Sequence, residues 1–129
     1  MNTQHQYKGS PWGHVQGQST VIEGIVSVST ASHGGLKLSA KRQAQMPDYL
    51  RTSDGWYEED CEWARVYVVF GGEISKYYQQ HPEDKNAEYE LRNLSSACEA
   101  LKNWCPDGYE KYFAEAIPAG ESYIRTHPF

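Results

Sequence analysis

Three groups of residues in this sequence have the types and spacing that chemistry needs. His33, Cys61 and Glu59 would supply base, nucleophile and orienting carboxylate for a small cysteine hydrolase. Asp54, Glu58, Glu59, Asp60 and Glu62 place five carboxylates in nine residues that contain no Lys or Arg, flanked by Trp56, Tyr57 and Trp63. Crowded like charges repel, so such a patch implies something that offsets them: a helix N-terminus, or the Arg and Lys side chains of a partner. His33 precedes Gly34 and Gly35, a pair that permits close backbone approach beside an imidazole. The same three residues also read as a plain polar turn.

A resident metal is not expected. His14, His33, His81 and His127 are scattered, with no HExxH and no paired Cys/His spacing. Glu58 and Glu62 are four apart and would share one helix face, the one arrangement here that suits a hard cation. Cys61, Cys98 and Cys105 show no CxxC spacing and read first as small core residues in a reducing compartment. No cofactor motif is present.

The charge is unevenly distributed. Residues 1–53 hold five Lys/Arg and two Asp/Glu, whereas residues 54–129 hold seven and fifteen, and the formal net charge is −5. The five clustered carboxylates would repel phosphates, which argues against direct nucleic-acid binding through that face and favours a basic protein surface as partner. The longest apolar run, residues 66–70, is far too short to span a bilayer, and the polar first ten residues lack a signal-peptide core. A cytoplasmic location is therefore expected.

The elements that must position these residues suggest a single α+β domain over residues 1–129, with residues 1–10 frayed. Residues 15–22 and 25–30 are rich in β-branched side chains and are separated by Glu23-Gly24, a hairpin signal. Leu36 and Leu38 suggest a third strand, which gives a small N-terminal antiparallel sheet of two or three strands. Ser39 is a plausible N-cap for a helix over residues 40–46, closed by Pro47. Residues 57–70 read as a helix with an acidic first turn; the competing reading makes residues 64–70 a buried strand. Gly71-Gly72 breaks the chain, and a short helix over residues 74–80 closes at His81-Pro82. Leu91, Leu94, Cys98, Leu101 and Cys105 recur at three- and four-residue intervals, the stripe of a long amphipathic C-terminal helix that is either core or a homodimer seam. Tyr109, Tyr112, Phe113 and Ala116 mark a last short helix.

Ser10-Pro11-Trp12-Gly13, the run from Gly24 through His33-Gly34-Gly35 to Ser39, and Gly55-Trp56-Tyr57-Glu58-Glu59-Asp60-Cys61-Glu62-Trp63-Ala64 occur in an order that resembles a small uncharacterised domain. That domain is found in proteins of bacteriophages, plasmids and integrated elements of proteobacteria. The resemblance covers roughly residues 10–70 and implies a mobile-element origin, with no catalytic residue to carry over. Small acidic proteins of such elements often inhibit host defence, so the resemblance implies an anti-CRISPR or anti-restriction inhibitor acting in the host cytoplasm. Such an inhibitor would dock on a nuclease or effector through Asp54, Trp56, Tyr57, Glu58, Glu59, Asp60 and Glu62 and block nucleic-acid access. The alternative is the hydrolase using His33 with Cys61 or a nearby carboxylate.

Overall fold

The computed structural model describes residues 5–128 and is α+β. Its packing divides the chain into two compact units, one running to Trp63 and the other starting at Ala64. The first unit holds two sheets. β1 (Gly9–Ser10) and β2 (Gly13–His14) form a short hairpin. β3 (Gly17–Ile22), β4 (Ile25–Ser29), β5 (Gly34–Leu38) and β6 (Trp56–Glu58) form a four-stranded antiparallel sheet in chain order. The β3–β4 turn falls at Glu23-Gly24 as expected, with Gly24 at φ 87°, a left-handed value that costs glycine nothing.

Cross-strand partners share a face, so the register sorts the side chains. Ile25 pairs with Leu38 and Ser27 with Leu36, which pairs in turn with Tyr57. That face carries the core residues Ile25, Leu36, Leu38 and Tyr57. The opposite face carries Val26, Lys37 and Trp56 in one row and Val28, Gly35 and Glu58 in the next. Both valines are buried, so β4 is apolar on both faces and the strict alternation expected of a half-buried strand is broken there.

α1 (Ala40–Gln45) begins where the sequence places it, with the Ser39 hydroxyl accepting the Arg42 amide at 3.2 Å. The helix is tied to the sheet through Tyr57. Its phenol donates to Gln43 Oε1 at 2.6 Å and accepts the Thr52 amide at 3.2 Å, while Gln43 Nε2 donates to the Thr52 carbonyl. Met46 and Leu50 complete this core.

The second unit is helical. It contains α2 (Trp63–Val69, entering from the first unit), α3 (Gly71–Gln80), α4 (Ala87–Trp104), α5 (Pro106–Phe113) and α6 (Tyr123–Thr126). Its core takes Ala64, Val66, Tyr67, Phe70, Ile74, Tyr78, Ala87, Ala97 and Leu101, together with the buried acid Glu90. α3 and α6 stop in the same way. His81 and His127 stack on Tyr77 and Tyr123 at ring separations of 4.3 and 4.2 Å. Each Nδ1 lies within hydrogen-bonding distance of the carbonyl of its tyrosine, at 2.8 and 3.1 Å, and a proline follows in both cases. α6 is moored by Ser122 Oγ, which donates to the Lys102 carbonyl at 2.8 Å, and by the Tyr123 amide on Asn103 Oδ1 at 3.1 Å.

Several sequence expectations are corrected. Residues 57–62 are not helical: Trp56–Glu58 completes the ladder on β5, where aromatic side chains suit a pleated surface, and α2 starts at Trp63. Gly71-Gly72 opens α3 rather than standing between helices; the interruption is at Phe70. On α4 the buried positions Ala87, Glu90, Ala97 and Leu101 are rotated from the expected stripe, and Cys98 is exposed. Half of these buried positions are alanines, which the spacing of large apolar residues does not register. Within the segment expected to fray, Tyr7 N donates to Gln18 Oε1 and Gln18 Nε2 to the His5 carbonyl; residues 1–4 lie outside the described residues.

One ion-pair cluster gives a pH prediction. The Arg125 guanidinium contacts Asp107 Oδ1 at 2.7 Å and both Glu110 oxygens at 3.0 Å, and Glu110 Oε2 also accepts the Ile117 amide at 2.7 Å. These bonds, the Arg125 contact foremost, hold the Glu110 carboxyl down at about 2 from an ordinary 4.5. A depressed carboxyl adds stability that is present above its unfolded pKa and lost as pH falls toward the folded one. Thermal unfolding followed by circular dichroism should show a loss of stability between 4.5 and about 2 that is smaller in Glu110→Gln.

Candidate functional site

The acidic segment leaves the sheet at the end of β6 and turns through residues 59–62 into α2. Two of its carboxylates close that turn on themselves. Glu58 Oε1 accepts the Cys61 amide at 2.8 Å, the Cys61 thiol at 3.1 Å and the Glu62 amide at 3.4 Å. Glu62 Oε1 reaches back to accept the Glu58 amide at 3.1 Å. The exchange has the logic of a capping box: amides with no ladder or helical partner are satisfied by nearby carboxylates. A third acid, Asp54, accepts the Trp56 amide at 3.0 Å at the other end of β6. No acid lies in the first turn of α2; the cluster precedes the helix, with Glu62 adjacent to its first residue.

Glu59 and Asp60 remain, both exposed at the tip of the turn. The Glu59 amide donates to the Gly34 carbonyl at 3.0 Å, continuing the β5–β6 pairing by one bond and fixing the base of the tip. The expected site residues therefore separate by depth. Asp54, Glu59 and Asp60 are exposed, Trp56, Glu58 and Glu62 are half-buried, and Tyr57 is fully buried. Tyr57 is withdrawn from any partner surface because alternation along β6 turns it toward the core.

The local electrostatics set the state of Cys61. Burial pushes its thiol up, and the hydrogen bond to Glu58 and the negative charges of Glu58, Glu62 and Asp60 push further, to about 11. Burial works against ionisation of Glu58 as well, but the Cys61 thiol and the amides of Cys61, Asp60 and Glu62 outweigh it and the carboxyl stays below its ordinary range. Cys61 is thus a protonated donor at neutral pH, whereas a nucleophilic thiol needs cationic surroundings. His33 is exposed in a tight turn, its amide donating to Thr30 Oγ1 at 3.1 Å and its carbonyl accepting the Thr30 amide at 2.8 Å. The structure brings Glu59 to the residue beside His33 but turns the Cys61 thiol onto Glu58. The three hydrolase candidates are not joined into a relay.

The glycines after His33 have a packing role. A methyl group on Gly35 would strike the Tyr57 carbonyl and come within 2.5 Å of Trp12 Cη2, and one on Gly34 would lie 2.8 Å from the Val28 carbonyl. Trp12 thereby packs over β5 and meets Trp56 edge to face at 5.6 Å; Tyr7 meets Trp56 at 5.4 Å, and Lys37 Nζ lies 5.3 Å from the Trp56 ring centre. Lys37 also donates to the Asp54 carbonyl at 3.0 Å. No motif in the sequence marks Lys37; its place beside Trp56 follows from the β5–β6 pairing. Among the described residues no group of three or more His, Cys, Asp or Glu side chains could hold a metal ion, and no helix is long and apolar enough to cross a membrane.

Two outcomes test this geometry. Alkylation by iodoacetamide at neutral pH, followed by peptide mass spectrometry, should modify Cys98 before Cys61, with Cys61 slower by about tenfold or more. Gly35→Ala should lower stability in denaturant titration by about 1–3 kcal/mol, because backbone and an indole must shift to admit the methyl.

Comparison with curated proteins and with solved structures finds no match. A family profile does match, over residues 5–128, and so takes in the sheet, the acidic turn and the helices alike. The chain belongs to that family, described as a domain of unknown function (DUF7007).

Proposed function

We propose that this protein is a binding protein, an anti-defence inhibitor of a bacteriophage or other mobile element, which docks on a basic surface of a host nuclease or CRISPR effector. The observation that supports this reading is the division of labour in the acidic turn. Asp54, Glu58 and Glu62 are occupied with main-chain amides, and the bonds of Glu58 and Glu62 fix the turn that holds Glu59 and Asp60 out. A charged tip on a preorganised turn loses little conformational entropy on docking, and it competes for cations that otherwise meet phosphate. The aromatic cluster behind it stiffens the same strand. With a net charge of −5, a local plug suits the protein better than imitation of a long duplex. The mobile-element assignment rests on the resemblance of residues 10–70 described above.

The test is phage plating on cells that carry one active restriction or CRISPR system at a time. Expression of the wild-type chain should raise plating efficiency against at least one system by an order of magnitude or more. Glu59→Lys/Asp60→Lys, folded by circular dichroism, should lose that protection. Absence of protection across a panel of nuclease-based systems, or full protection by the double variant, would refute the reading.

A further inference from the structure

The helical unit contains an acid that the acidic turn does not explain. Glu90 lies in the first turn of α4 and is 4% exposed. Its Oε1 accepts the Tyr67 hydroxyl from α2, and the side chain of Asn93, one turn on, also bonds to it. Tyr78 of α3, 1% exposed, faces both Glu90 and Asp84. Asp84 stands just before α4, where its carboxylate accepts the Asn86 amide at 2.8 Å. α6 and α5 meet α4 at its other end, around Leu101–Cys105, through Ser122, Tyr123 and the Cys105 carbonyl. The titratable groups around Glu90 are thus Tyr67, Tyr78 and Asp84, with Tyr77 behind Tyr78 and Tyr89 beside Tyr67. Among the described residues, none of the groups acting on Glu90 is a cation.

A buried carboxylate is tolerated when it is paired with positive charge, and this one is not. As the carboxylate, Glu90 keeps the bonds from Tyr67 and Asn93 but holds a desolvated charge with Asp84 as its charged neighbour; as the neutral acid it still accepts from Tyr67 and brings no charge into the junction. We propose that Glu90 is a protonation-operated latch, which ties α2 to α4 as the acid and loosens them as the carboxylate.

Burial raises the Glu90 carboxyl above its ordinary range, more than the bonds from Tyr67 and Asn93 lower it, and Asp84 adds to the rise. For a carboxyl raised in the folded state, the stabilisation is full below the unfolded pKa and is lost as pH climbs through the folded value. The latch therefore closes toward acid and opens upward from the ordinary carboxyl range. This is the reverse of Glu110, whose contribution is lost toward acid.

Hydrogen exchange of the full chain, referenced to intrinsic rates and compared at about pH 5 and about pH 8.5, tests the latch. Protection of the α2 amides and of the first half of α4 should fall by about tenfold at the higher pH in the wild type. It should stay level in Glu90→Gln, and any change common to both proteins cancels in the comparison. Tyr67→Phe, which removes a donor to the carboxylate and preserves the ring, should enlarge the wild-type fall. Equal pH dependence in wild type and Glu90→Gln, or a Tyr67→Phe variant with a smaller fall than wild type, would overturn the proposal. Should Glu90→Gln not fold, the Tyr67→Phe comparison alone decides it.

Discussion

The pairing of β6 with β5 governs the first unit, because three residues of ladder decide the direction of three quite different side chains. Trp56 and Glu58 go to one face and Tyr57 to the other. Tyr57 then holds α1 through Gln43, while Trp56 gathers Tyr7, Trp12 and Lys37, and Glu58 is left at the strand's end, free to curl onto the amides beyond it. A slip of one residue would put Tyr57 among the indoles and Trp56 into the core. Gly35 is what the observed register requires, since only a residue without a side chain admits both the Tyr57 carbonyl and the Trp12 ring at its position.

The N-terminal half of this arrangement was legible from the residues. Glu23-Gly24 between β-branched runs marked the first hairpin, Leu36 and Leu38 the third strand, and Ser39 with Pro47 bracketed α1, because each signal acts through neighbours in the chain. The fourth strand was missed for the opposite reason. Trp56-Tyr57-Glu58 is too short to show a period, and its pairing depends on β5, some twenty residues earlier. The sequence window that covered it was dominated by the helix starting at Trp63. The candidate site was legible as a cluster, but its division into structural and exposed acids was not, since that depends on which amides the turn leaves without partners.

That division changes how the acidic character of the chain is understood. Carboxylates are usually tallied as surface charge, yet three of these five serve as main-chain acceptors, and Glu90 is withdrawn into a core altogether. Formal charge does not say which of these acids stand out at the surface for a partner to meet. The protein uses acids as structural pieces in both units, with opposite consequences: ionised and hydrogen-bonded at Glu58, buried without a cation at Glu90.

The edge-to-face contact of Trp12 and Trp56 has an optical consequence. Two indoles with centres 5.6 Å apart and planes 88° apart couple their electronic transitions, and that coupling exists only while the N-terminal hairpin rests on the sheet. The second unit has Trp104 instead, tilted against Tyr123 at 5.1 Å. The two units thus carry different chromophore pairs, and the order in which they come apart can be followed by ultraviolet spectroscopy without attaching any label.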